Sequence, residues 1–240
     1  ALVTGATGGL GTAICKRLAN DGFHVVANYN TASKAEKWKE QLKAEGYEFD
    51  MYQANVGDFE EVEKMIKSIE ANVGPIDILV NNAGITKDGA FRKMSKENWD
   101  AVIRTNLDSV FNCTRNVINQ MIDREYGRII NISSVNGQRG QFGQANYSAA
   151  KAGMHGFTKT LAMEVARKGI TVNTISPGYI ATDMVMAVAE EVRNKIVAEI
   201  PIGRLGGTEE IAHLVSFLAS KETSFITGAN YAINGGQHVY

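Results

Sequence analysis

The chain has 240 residues, with 25 Lys and Arg against 26 Asp and Glu and a formal net charge of −1. Folded compactly, a chain of this size removes roughly 70–75% of its unfolded surface from water, so a core is available without disulfide or metal staples. Charge this balanced, spread along the whole length, leaves no electrostatic footprint for nucleic acid or an anionic membrane, and small-molecule chemistry is the better expectation.

The first residues, Ala1-Leu2-Val3-Thr4-Gly5, read as a strand running into a glycine loop. No charged n-region, long apolar run or cleavage site is visible, which predicts a cytoplasmic protein with a few residues missing ahead of the first strand. Thr4-Gly5-Ala6-Thr7-Gly8-Gly9-Leu10-Gly11 then leads into a helix over 11–21. Gly5, Gly9 and Gly11, with Leu10 between the last two, let the backbone turn tightly and approach a pyrophosphate at a helix N-terminus. The spacing is TGxxxGxG rather than GxGxxG, and a glycine loop alone is equally often a mobile turn. A second strand over 23–28 ends in Asn28-Tyr29-Asn30, where a dinucleotide fold normally carries an Asp or Glu for the ribose 2′-hydroxyl of NAD. With that carboxylate absent and Lys34 nearby, NADP(H) is expected over NAD(H); Lys34 is otherwise a solvated helix charge.

Further strands are predicted over 49–54, 78–81, 128–133, 171–176 and 231–233. Helices are predicted over 33–45, 58–72, 96–124, 147–168 and 208–220, with Gly22, Gly46 and Gly169 as stop signals. This alternation predicts one Rossmann-type, doubly wound α/β domain over residues 1–240, with a seven-stranded parallel sheet flanked by helices. The segment 182–202 interrupts the pattern with a Met-rich stretch, Met184-Val185-Met186, placed as a substrate lid or as an ordinary packing helix. Cys15 and Cys113 lie in apolar helical patterns without CxxC or His partners, so they are read as packing residues and no metal site is expected.

Asn81-Asn82-Ala83-Gly84 follows the fourth strand, and Ser134 precedes Tyr147-Ser148-Ala149-Ala150-Lys151. The order TGxxxGxG, NNAG, Ser, YxxxK, together with Asn106 and Pro177-Gly178, resembles the short-chain dehydrogenase/reductases over essentially the full chain. Within that family, the stretches 134–144 and 176–184 resemble the acetoacetyl-CoA reductases more than the 3-oxoacyl-[acyl carrier protein] reductases. The resemblance implies NADPH-dependent reduction of a 3-oxoacyl thioester, acetoacetyl-CoA to (R)-3-hydroxybutyryl-CoA as in polyhydroxybutyrate biosynthesis, by a homotetramer.

Ketone reduction needs a hydride and a proton for the carbonyl oxygen. A tyrosine, with a reference pKa of about 10, needs a cation beside it to act as that acid, and Lys151 stands one helical turn from Tyr147. The family gives Ser134 to the substrate carbonyl and Asn106 to a water relay serving Lys151. It places Asn82, Ala83, Gly84, Tyr147, Lys151, Pro177, Gly178, the Ile180 backbone and Thr182 around the cofactor. It also has Asp-Val at the adenine where this chain has Asn55-Val56, and the Asn side chain keeps a carbonyl acceptor. Asp88, Gln141, Phe142, Gln144 and Tyr179 occupy loops flanking Tyr147 and form the candidate substrate grip, with loop packing as their plainer role. Lys87, Arg92, Lys93, Arg139 and Arg204 surround the expected opening, where either coenzyme A or an acidic carrier protein wants cations. The other class of function open to such a chain is a regulator that binds NADP without chemistry.

Overall fold

The structure, a computed structural model, describes residues 1–239, with the side chains of Asp183 and Met184, both in the expected lid, lying outside the described residues. Strands β1 (Leu2–Val3), β2 (Val26–Tyr29), β3 (Asp50–Gln53), β4 (Ile78–Asn81), β5 (Gly127–Ile132), β6 (Ile170–Pro177) and β7 (Asn230–Ile233) form one sheet in the order β3-β2-β1-β4-β5-β6-β7. Every pairing is parallel. β4, β5 and β6 are buried along their whole length, the mark of strands covered on both faces. The order reverses between β1 and β4, and at such a switch point the adjoining crossover loops part and leave a crevice.

Helices α1 (Gly9–Asn20), α2 (Ala32–Ala44) and α10 (Thr208–Ala219) cover one face. Ile14, Leu18, Trp38, Leu42, Ile211 and Val215 pack there against Val3, Ala27, Val80 and Ile130. On the other face lie α3 (Phe59–Asn72), α5 (Ser109–Asp123) and α7 (Ala145–Val165), whose Val62, Ile66, Val117, Met121 and Val165 meet Leu2, Leu79, Ile129 and Val172. Cys15 and Cys113 sit free in these two cores, and burial pushes both thiols up to about 12, as suits packing residues. Among the described residues no helix is long and apolar enough to cross a membrane.

The predicted helix over 96–124 is not continuous. It divides into α4 (Lys96–Ile103), a π-helical turn at Arg104–Asp108, and α5. The physical reason is Asn106, whose side-chain amide donates to the Val102 carbonyl at 2.9 Å and competes with the regular ladder. The segment predicted as a lid forms α8 (Asp183–Met186) and α9 (Glu190–Ala198), with α6 (Asn136–Arg139) a short turn before α7. None of the α9 residues is fully buried, but Arg193, Ile196 and Val197 are half-buried, so this helix lies on the surface of the domain.

Candidate active site

The site lies where β1, β4, β5 and β6 end. α1 starts at Gly8 and Gly9, both exposed, with no side-chain cap and no acidic residue in its first turn. An uncapped, uncharged N-terminus of this kind accepts an anion. Gly11 is dictated by packing: a Cβ there would lie 2.4 Å from the Gly5 carbonyl oxygen. The Asn82 backbone N–H donates to Thr4 Oγ1 at 3.0 Å and its amide to the Thr4 carbonyl at 2.9 Å, so the NNAG segment holds the glycine loop in place. Gly9 faces Thr182, which a Cβ would meet at 3.7 Å, so the turn after β6 borders the same cradle.

Asn28 differs from its expected role. It is buried, its Oδ1 accepts from the Gly5 N–H at 3.3 Å, and its amide donates to the Ala54 carbonyl at 3.2 Å. Only Tyr29 and Asn30 therefore reach the surface at the end of β2. Asn55 Oδ1 accepts from the Gly57 N–H at 3.0 Å, which occupies one of its two lone pairs and leaves the other for an adenine amine. Val56 is buried, and its carbonyl accepts from Asn112.

A buried polar ladder fixes α7 on the sheet. Asn81 donates to Asn131 at 2.8 Å, Asn131 to Thr158 at 2.9 Å, and Thr174 to Thr158 at 2.7 Å. Asn146, fully buried just before the tyrosine, donates to the carbonyls of Lys87 and Asn98 and accepts from the Tyr147 N–H at 2.8 Å. Sequence reasoning missed Asn146, because an Asn at a helix start carries no sign of which distant carbonyls it meets.

Tyr147 and Lys151 come together as the spacing predicted, with the Lys151 Nζ 5.6 Å from the Tyr147 ring centroid and donating to the Ile132 carbonyl at 2.6 Å. Desolvation pulls Lys151 down to about 7. It pushes Tyr147 up to about 12, opposed by a hydrogen bond with Ser134 and assisted by the Asp88 charge. The Asn106 Oδ1 is buried and has no partner among the described residues, while its amide donates to Ile85 and Val102. A Cβ on Gly84 would lie 2.5 Å from that Oδ1 and 3.6 Å from the Lys151 Nζ, so the open space at Gly84 borders both groups. Ser134 Oγ accepts from the Asn136 N–H at 3.1 Å.

The candidate substrate residues divide. Gln144 donates to Asp88 Oδ2 at 2.8 Å and accepts from Asn136 at 2.8 Å, so its amide is already engaged at both ends. Gln141 accepts from Arg139. Phe142 is 88% exposed. Tyr179, Ile180 and Gly178 line a cleft of about 270 Å³ beneath Ile200 and Ile202, and Pro177 is buried at the end of β6. Arg204 is held on both oxygens of Glu210 at 2.8 and 3.0 Å, which removes it from the free cations expected at the opening. A larger hollow of about 430 Å³, lined by Trp38, Leu42, Tyr47 and Phe49, lies where β2 and β3 begin, at the opposite end of the strands from Tyr147.

Residues 1–193 match the family description of the short chain dehydrogenases. The chain belongs to that family. Among short-chain dehydrogenase relatives, it is 58% identical to an acetoacetyl-CoA reductase of Cupriavidus necator, over 100% of this chain and 98% of the relative. It is 56% identical to nodulation protein G of Azospirillum brasilense, over 98% of this chain and 96% of the relative. It is 46% identical to a 3-oxoacyl-[acyl-carrier-protein] reductase of Staphylococcus epidermidis, over 100% of this chain and 98% of the relative.

Proposed function

We propose that this chain uses NADPH to reduce the keto group of a 3-oxoacyl thioester, with acetoacetyl-CoA, converted to (R)-3-hydroxybutyryl-CoA, as its preferred substrate. The observation that carries this reading is the hydrogen bond between Tyr147 and Ser134, with Lys151 one turn further on. Identity to acetoacetyl-CoA reductases runs twelve points above that to the carrier-protein enzyme (58% against 46%), both over the whole chain.

The uncapped start of α1, the exposed Gly8 and Gly9, and Thr182 beside them fit a dinucleotide diphosphate. When bound, the nicotinamide supplies the hydride. Ser134, its oxygen accepting from Asn136, turns its proton from Tyr147 to the substrate carbonyl when substrate binds. Tyr147 gives that oxygen its proton, and the phenolate left behind is stabilised by the Lys151 ammonium. The unpartnered Asn106 Oδ1 provides an acceptor for a water that returns a proton to Lys151. α9, none of whose residues is buried, and α8 before it close over the acyl group as a lid.

An assay of NADPH oxidation with acetoacetyl-CoA and with an acetoacetyl carrier protein tests the reading, with higher kcat/KM expected for the coenzyme A thioester. The reverse preference transfers the substrate to the carrier protein, and no turnover with either leaves a cofactor-binding regulator. Tyr147→Phe is expected to keep cofactor binding and to lose about 10²–10⁴ in kcat; a variant retaining most of its turnover removes Tyr147 as the acid.

A further inference from the structure

Ser134 does not stand alone. Its Oγ accepts from the Asn136 N–H at 3.1 Å, the Asn136 amide donates to Gln144 Oε1 at 2.8 Å, and the Gln144 amide donates to Asp88 Oδ2 at 2.8 Å. The direction of every bond follows from the last one. An ionised carboxylate only accepts, so Gln144 must turn its NH₂ toward Asp88 and its oxygen toward Asn136. Asn136 must then present its own NH₂ to Gln144. Its Oδ1 is left facing the other way, buried and without a partner among the described residues. An Asn held with an orphaned buried acceptor is held against its own hydrogen-bonding preference, and the charge at Asp88 supplies the reason.

We infer that Asn136 is a positioning residue for Ser134, kept in register by a hydrogen-bond chain whose direction the Asp88 carboxylate sets through Gln144. Asn136 is 7% exposed and lies two residues from Ser134, at the start of α6. Its backbone N–H occupies one lone pair of the Ser134 hydroxyl, so the serine proton points away from the main chain, where a substrate carbonyl would accept it. The neighbouring backbone is tightly packed as well, since a Cβ on Gly137 would lie 2.8 Å from the Lys151 carbonyl carbon. A tilt of this turn therefore moves Ser134 relative to Tyr147 and Lys151. The inference rests on the proposed thioester reduction and deepens it.

Reversing the chain provides the test. Asn136→Asp removes the donor to Gln144, and Asp88→Asn removes the charge that fixes the direction. In the double variant, Asn at 88 donates to Gln144 Oε1 and the Gln144 amide donates to Asp at 136, so all the bonds are restored in the opposite sense. Each single variant is expected to lower kcat for acetoacetyl-CoA about tenfold, with KM for NADPH unchanged, and the double variant to recover most of the loss, a coupling that independent sites do not show. Asp88 is exposed, so Asp88→Asn folds and reports on direction even where Asn136→Asp does not.

Urea unfolding of the same four proteins separates this inference from the functional reading. A parent protein inactive on every thioester ends the functional reading, and the coupling in urea still decides whether the chain is directed. Single variants with parental kcat, losses that multiply in the double variant, or recovery of stability without recovery of kcat each overturn the positioning role.

Discussion

The Lys151 ammonium donates to the Ile132 carbonyl at 2.6 Å, at the last residue of β5, from a fully desolvated position. Desolvation brings its pKa to about 7, whereas an exposed lysine keeps its charge to pH 10. Only the charged form stabilises a Tyr147 phenolate. We therefore expect kcat/KM for NADPH, which reports on the free protein, to fall about tenfold per pH unit above pH 7 in the reductive direction. The same group makes stability depend on pH. The unfolded chain binds the extra proton between about pH 7 and the ordinary lysine value of 10.5, so stability rises with pH across that window. Lys151→Met is expected to flatten this rise. A reductive profile level to pH 9, or an unchanged slope in urea unfolding of the variant, removes the lysine from both roles.

Cofactor choice turns on the end of β2. Asn28 is committed to Gly5 and Ala54, so the group a 2′-phosphate meets is the exposed Asn30, followed by the uncapped start of α2 at Thr31 and the exposed Lys34. None of these is anionic, and a helix N-terminus favours a phosphate. A higher kcat/KM with NADPH than with NADH is expected, and Asn30→Asp should lower that ratio about tenfold through like-charge repulsion in a screened, exposed site. Measured ratios that are equal in the parent, or unmoved by the substitution, defeat this assignment.

The sequence showed the sheet more clearly than the site. β4 matches its predicted bounds because Ile78–Asn81 is a short apolar run between a proline turn and the NNAG loop, and β5 and β6 were read within one residue at each end. Tyr147 and Lys151 were legible because helical spacing alone brings them to one face. The π turn at Asn106 was not, since apolar periodicity continues through it and only the Val102 and Ile85 carbonyls reveal the break. Asn136 and Asn146 were invisible for a related reason. Their partners lie 8 to 59 residues away, and nothing local separates a bridging Asn from a turn former.

Val110 on α5 and Met154 on α7 are each 1% exposed within the single chain, so neither is available to a partner subunit. Phe111 and Met163 are the residues left uncovered on α5 and α7, with Phe59 stacked on Phe111 at a centroid distance of 6.2 Å. Exposed large side chains on two helices of the same face suit a symmetric pairing of these helices with a second copy. Sedimentation at micromolar concentration is expected to show a tetramer, and Phe111→Glu or Met163→Glu to shift it to smaller species. A parent protein that sediments as a monomer excludes this surface.

The acyl group should be felt first at the rim. Phe142 stands in a turn made by Gly140 at φ +73° and Gly143 at φ +80°, with its ring 88% exposed, next to the Gly89 segment that carries Asp88. A phenyl ring left in water by the free protein contributes little to folding, so its removal should leave the melting temperature unchanged. Covering the ring with a bound thioester recovers up to about 1.5–3 kcal/mol of apolar transfer, and part of that is lost in Phe142→Ala. Tyr179 follows β6 and lines a cleft with Ile200 and Ile202, and we expect it to bound the acyl end. Phe142→Ala is accordingly expected to raise KM for acetoacetyl-CoA about tenfold with KM for NADPH unchanged, and Tyr179→Ala to improve longer 3-oxoacyl-CoA substrates relative to the four-carbon one. Steady-state kinetics with four-, six- and eight-carbon thioesters decides the matter. An unchanged KM in the first variant, or the same chain-length ranking in the second, would place the acyl group elsewhere in the cleft.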